Sequence, residues 1–125
     1  MPRLLIPFSL ILALLFPPLS HAQDLTGTYT VEGSNPEDAR ATYRGEVRVA
    51  PAGDVFHVLW IFGNQQHAGT GILRDGQLAV VYQPKGGQPG IAFYKVNASG
   101  SLTGTWTTLG GRRLGTETWV PKGRM

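Results

Sequence analysis

Glycine-bearing turn signals cut residues 23–125 into eight short runs of β-forming residues, and this punctuation constrains the fold more than any other feature. The runs are Leu25–Glu32, Ala41–Ala50, Asp54–Phe62, Ala68–Leu73, Gln77–Gln83, Ile91–Asn97, Ser101–Thr108 and Leu114–Pro121. Asp75-Gly76 carries the strongest hairpin signal, because both central positions of a type I′ turn need positive φ. No window holds a helical period, and only Pro36–Arg40 has the makings of a helical turn. In the second run Tyr43, Gly45, Val47 and Val49 alternate with Thr42, Arg44, Glu46 and Arg48, so one face is apolar and the other wet. That alternation opposes a membrane barrel, whose outer face must be apolar. Short antiparallel runs at even spacing predict an all-β, eight-stranded up-and-down meander, closed into a small barrel. The alternative is an open β-sandwich.

Residues 1–22 read as an export signal, and residues 23–125 as one domain. Arg3 gives the positive start and Leu4 to Leu19 the apolar stretch. Ser20-His21-Ala22 places small residues before a cut at Gln23. The apolar stretch, interrupted by Pro7, is short for a membrane span of about 20 residues. The expected location is therefore periplasmic or secreted, with no membrane span after cleavage. The chain has no cysteine, so an exported domain of this size cannot lean on disulfides. Closure of the sheet offers a substitute, since a barrel leaves no exposed strand edge.

The formal net charge is +3, and loss of Arg3 with the leader lowers it to +2. Arg112, Arg113, Lys122 and Arg124 make the C-terminal end weakly basic. No basic run with interleaved aromatics is present, which excludes a nucleic-acid binder of the usual kind.

One segment repeats. Leu25-Thr26-Gly27-Thr28-Tyr29-Thr30 returns as Leu102-Thr103-Gly104-Thr105-Trp106-Thr107, and again in altered form as Leu114-Gly115-Thr116-Glu117-Thr118-Trp119. Glycine inside a strand marks a bend or a close backbone approach, as barrel closure requires. The Leu-Thr-Gly-Thr-aromatic motif in a short exported meander resembles the avidin and lipocalin (calycin-type) barrels. Avidin's biotin-holding residues have no residue-by-residue counterpart here, so biotin binding is not implied. Where lipocalins carry Gly-x-Trp on the first strand, this chain has Gly27-Thr28-Tyr29. Gly27-Thr28-Tyr29, Tyr43-x-Gly45-x-Val47, Gly69-Thr70-Gly71-Ile72, Gly104-Thr105-Trp106 and Gly115-Thr116-Glu117 are also similar to motifs of small bacterial secreted β-meander proteins. Some of those are labelled fibronectin-binding. The resemblance implies a shared fold more than a shared activity.

Glu117 is the acid with the most to explain. If Trp119 points inward, the period of two carries Glu117 and Gly115 inward as well. A buried carboxylate needs partners. It is either fixed structurally by a tyrosine hydroxyl, an arginine or backbone N–H groups, or an anchor for a ligand, or a catalytic acid. No second carboxylate stands at a recognisable spacing, which argues against the last. His57 and His67 have the potential to approach each other across a hairpin, but two histidines without a third ligand do not specify a metal. There is no Gly-x-Ser-x-Gly elbow, no thiol and no phosphate-loop pattern in Lys85–Gly90. No cofactor is implied, and an enzyme is not expected. Asn97-Ala98-Ser99 forms a glycosylation sequon by composition alone.

The third run is apolar on both faces, with Val55, His57, Leu59 and Ile61 opposing Phe56, Val58, Trp60 and Phe62. A strand wet on one side should alternate, so a loop, a second subunit or a partner is expected to cover one face. The sequence thus points to a non-enzymatic binding module. It would hold an unidentified small apolar or amphipathic molecule among Tyr43, Trp60, Tyr94, Trp106, Glu117 and Trp119, with Tyr29 and Tyr82 nearby. The competing reading is an adhesin-like or envelope protein that holds an extracellular partner on its outer face, with homo-oligomerisation through strand 3. A cavity of several hundred Å³ favours the first reading, and a filled barrel with an exposed apolar patch the second.

Overall fold

The computed structural model describes residues 24–122; the export signal expected at residues 1–22 and the expected cut at Gln23 lie outside them. The chain forms eight antiparallel strands: β1 (Gly27–Ser34), β2 (Thr42–Ala52), β3 (Val55–Phe62), β4 (Gln65–Arg74), β5 (Gln77–Pro84), β6 (Gly90–Val96), β7 (Leu102–Thr108) and β8 (Gly115–Pro121). Each pairs with its neighbour in sequence, and β1 pairs with β8 to close the barrel. The up-and-down barrel expected from the spacing is the observed fold, and the open sandwich is ruled out.

The alternation that marked the strands decides what faces the lumen. On β2, Val47 and Val49 are buried while Arg48 is exposed; on β6, Ala92 and Tyr94 are buried while Ile91, Phe93 and Lys95 are exposed. Asp75 and Gly76 both take positive φ, 53° and 76°, as the hairpin signal requires. Strand β4 starts at Gln65 rather than at Ala68, because Phe62↔Gln65 continues the β3 ladder around the Gly63-Asn64 turn. Pro36–Arg40 is not a helical turn: Ala41 N–H bonds the Asp38 carbonyl at 2.9 Å across a β-turn, and Asn35 Nδ2 bonds the Ala41 carbonyl.

The register also separates the two histidines. His57 pairs with Thr70 and His67 with Trp60, which places them on opposite faces of the β3–β4 hairpin. His57 is exposed on the outer wall and His67 half-buried at the lumen, so they do not approach. On the outer wall of β3, Leu59 and Ile61 are half-buried. The register sets Arg48 and Glu46 beside them on β2. Strongly exposed apolar residues of the outer wall cluster on β4–β6, at Ile72, Val81, Ile91 and Phe93, with Val120 exposed apart from them on β8.

The two ends of the barrel differ. One end carries the tight turns at 53–54 and 75–76 and the short 97–101 connection. The other carries the longer connections 35–41, 85–89 and 109–114 beside the tight turn at 63–64. Toward the turn end the lumen is solid. Val31, Val47, Val58, Leu78, Val80, Leu102 and Trp119 are buried there, and Leu25, ahead of β1, joins the same core. The Tyr29 hydroxyl donates to the Leu25 carbonyl at 2.7 Å, which pins that segment to the barrel.

Candidate functional site

The loop end of the lumen is lined by rings. Tyr43, Trp60, Phe62, Tyr82 and Trp106 surround an open cavity of about 430 Å³, with Tyr94 and Glu117 at its base and His67 in its wall. The ring contacts run on without a break. Phe62 meets His67 at 5.5 Å and Tyr43 at 5.4 Å between centroids. Tyr43 meets Trp106 at 6.1 Å, Trp106 meets Tyr82 at 6.3 Å and Tyr82 meets Trp60 at 5.6 Å. Such tilted and edge-on pairs are the favoured aromatic geometries. Below them, Trp119 packs on Trp60, Tyr94 and Tyr29, which joins the cavity wall to the solid core.

Strand glycines give the rings their room. Gly33 faces Tyr43 across β1–β2, and Gly90 faces Tyr82 across β5–β6. A Cβ at either position would collide with the phenol ring or hydroxyl of its partner. Two of the three glycines of the repeated motif act through close approach: at Gly104 and Gly115 a Cβ would collide with the backbone carbonyls of Phe93 and Ser34, whereas Gly27 takes φ 148° and has open space around it.

Glu117 organises the base of the cavity. Its side chain is inward on β8 and only 6% exposed. Oε1 accepts from the Tyr94 hydroxyl at 2.6 Å, from Trp119 Nε1 at 2.8 Å and from Trp60 Nε1 at 3.1 Å. Oε2 accepts from the Tyr43 hydroxyl at 2.6 Å. Four strands thus supply the cluster: β2, β3, β6 and β8. The hydrogen-bonded fixation foreseen for this carboxylate is present, with tyrosine and tryptophan as the donors and no arginine or backbone N–H among them. Four neutral donors are what a buried carboxylate needs when no cation is at hand. None of the ion pairs among the described residues includes Glu117; Arg44, at the rim, pairs with Glu32.

The carboxylate in turn holds its donors in their neutral form. Burial first, and then the charge of Glu117, push the Tyr43 phenol far above its ordinary value, and the same two causes act on Tyr94. Tyr82 is pushed up to about 12 by burial and the Glu117 charge. The Trp106 N–H is buried beside Gly115 and close enough to the Tyr43 hydroxyl to act on it, but short of a well-formed hydrogen bond.

Of the six residues singled out from the sequence, Tyr43, Trp60, Tyr94, Glu117 and Trp119 meet in one hydrogen-bonded cluster. Trp106 stands above it in the cavity wall. Trp119 is fully buried beneath the cavity. Phe62 and His67 join the wall without having been singled out as ligand-binding residues. The period of two places Phe62 on the Trp60 face, and carries His67 inward through Gly69 and Gly71. Among the described residues, no group of three or more His, Asp or Glu converges in a way that would hold a metal ion, and no helix is long and apolar enough to cross a membrane. A larger and more open depression of about 620 Å³ on the outer wall, around Arg48, His57, Leu59, Ala68, Val81 and Gln83, has no buried carboxylate at its base. Compared with known proteins, the chain matches no family model and no curated relative.

Proposed function

We propose that this protein is an exported, non-enzymatic binding module that holds a small apolar or amphipathic molecule in the loop-end mouth of the barrel. One observation carries the reading: the aromatic-lined cavity of about 430 Å³ above the hydrogen-bonded carboxylate of Glu117. Its volume lies in the range of ordinary small-molecule sites, and an apolar wall with few convergent polar groups is their usual composition. Tight packing would have been the simpler use of a small lumen, and the turn-end half shows that this sequence can achieve it. The leader read from residues 1–22 supports a periplasmic or secreted location. The test is native mass spectrometry of the protein purified from its own host. A retained small molecule that is lost in Phe62→Ala and Trp106→Ala supports the reading. A clean apoprotein, together with unchanged tryptophan fluorescence across a panel of small aromatic and aliphatic compounds, overturns it.

A second reading has its own support. Val81 pairs directly with Ile91, and Ala79 lies between Ile72 and Phe93, so an apolar stripe crosses the outer wall of β4–β6. These four side chains are 50–59% exposed. An interaction protein that holds an envelope or extracellular protein would use such a stripe. Light scattering and cross-linking before and after Ile91→Lys and Phe93→Lys test it; identical behaviour in native extract removes it.

A further inference from the structure

The charge of Glu117 has donors but no counter-ion. The four groups that bond it are neutral phenols and indoles, and none of the ion pairs among the described residues reaches it. Among the residues lining the cavity the one arginine is Arg44, which Glu32 engages; Arg40, Lys85, Arg112 and Arg113 lie on the connections of the same end. Hydrogen bonds of this kind satisfy a carboxylate's lone pairs, yet its unit charge remains in a poorly solvated place, where its field is little screened. Oε1 accepts three bonds and Oε2 only one, from Tyr43, so the remaining acceptor capacity lies on Oε2.

The cavity above this charge is walled by aromatic rings. Trp60, Tyr82, Trp106, Tyr43 and Phe62 bound it, with centroids of contacting rings 5.4–6.3 Å apart. The face of an aromatic ring is the negative side of its quadrupole and attracts cations, most strongly when the site is desolvated. Wall and base therefore favour the same sign of charge. An anion meets the Glu117 carboxylate and the rings, with only Arg44 at the rim to offset them, and Glu32 already engages that cation. A bare divalent ion meets one carboxylate already carrying four hydrogen bonds, and no cluster of three ligating side chains. A neutral hydrocarbon satisfies the wall and leaves the charge uncompensated.

From this we infer that the mouth selects a small organic cation: an amine or quaternary ammonium group, seated among the rings above Glu117, on an apolar or aromatic body. The inference rests on the proposal that the cavity binds a ligand, and it adds the class of that ligand. The ammonium group sits toward Glu117 and the ring faces of Trp60 and Trp106, and the apolar body extends past Phe62 toward the rim.

The experiment compares three probes of similar bulk by isothermal titration and tryptophan fluorescence on the purified protein: benzyltrimethylammonium, its uncharged carbon isostere neopentylbenzene, and benzoate. The expected result is at least a tenfold preference for the cation over the isostere, with benzoate the weakest. Equal affinity for cation and isostere overturns the inference while ligand binding in the mouth stands. Tighter binding of benzoate also overturns it. Binding of none of the three removes the ligand class and counts against the cavity reading itself. Two variants locate the selectivity. Trp106→Leu, at a half-buried position, is expected to keep the fold and to weaken the cation about tenfold while moving the isostere less than threefold. Glu117→Gln, checked for folding by circular dichroism, is expected to abolish the preference. A preference unchanged in Trp106→Leu overturns the assignment to the mouth, and this arm holds whether or not Glu117→Gln folds.

Discussion

At the turn end of the barrel, Val31, Leu78, Leu102 and Trp119 fill the lumen and touch no solvent. At the loop end, the same inward positions carry Tyr43, Phe62, His67 and Trp106, all half-buried around a cavity. The strands are continuous between the two halves, so the difference lies in side-chain choice alone. Branched aliphatic residues at the turn end interdigitate and close the space. Planar rings at the loop end stand on glycines and leave space between their faces. Glu117 lies at the boundary. Its donors come from both halves: Trp119 from the solid one, Tyr43 from the open one, Trp60 and Tyr94 between them. The comparison teaches that one half holds the fold together and the other is relieved of that duty.

If so, substitutions should divide by half. The largest effect is expected at the boundary. Glu117→Ala leaves two hydroxyls and two indole N–H groups buried without their acceptor, and should cost more than about 4 kcal/mol in urea denaturation. A loss below about 1 kcal/mol would mean that the cluster contributes little. Next come the core truncations: Leu78→Ala and Leu102→Ala should each cost about 2–5 kcal/mol, because both sites are fully enclosed. Phe62→Ala, at the half-buried mouth, should cost less than about 1.5 kcal/mol, scaled down from full burial. Equal costs for Leu78→Ala and Phe62→Ala would erase the distinction between the halves.

Alkaline titration sharpens the same boundary. Burial and the Glu117 charge raise the phenols of Tyr43, Tyr94 and Tyr82 in the folded state, the last to about 12. An unfolded tyrosine ionises near its ordinary value of about 10. Folding therefore favours the protonated phenol. The contribution is fully present below pH 10, and is lost as pH rises from about 10 toward and through the folded values. Absorbance at 295 nm should show these three residues withholding ionisation well past pH 10, until unfolding releases them together. Ionisation of all four tyrosines near pH 10 with the fold intact would contradict the burial of the cluster. A last position lies outside the lumen, in a hairpin turn at the solid end. Asp75 takes φ 53° in its hairpin turn, so Asp75→Val should cost about 1–2 kcal/mol and Asp75→Gly close to nothing.

The fold was legible in the sequence because the period of two and the glycine turns speak directly about strands. Asp75-Gly76 and the Tyr43–Val49 alternation are local signals with local outcomes. Glu117 was legible as an inward residue for the same reason, through its offset from Trp119. Apart from Trp119, two residues on, its donors were not, because they come from residues 23 to 74 positions away, brought together only by closure of the barrel. What covers the outer face of β3 is not legible from that strand alone, because its neighbours there, Glu46 and Arg48 beside Ile61 and Leu59, are set only by the register. The approach of His57 and His67 failed on parity: an even separation along the hairpin tells nothing until the turn at Gly63-Asn64 fixes the register. The cavity itself has no sequence signature, since ring faces either pack or part according to the glycines opposite them.

The three tryptophans supply the most direct test of the two-part barrel, because they lie at three depths. Trp106 stands in the cavity wall, Trp60 reaches from the wall to Glu117, and Trp119 is fully buried below. Their indole N–H signals, followed by two-dimensional NMR during titration with benzyltrimethylammonium, report where a ligand sits. The account predicts saturable shifts for Trp106 and Trp60 and a much smaller one for Trp119. Three unmoved indoles, or shifts confined to the outer-wall residues Ile91 and Phe93, would contradict it.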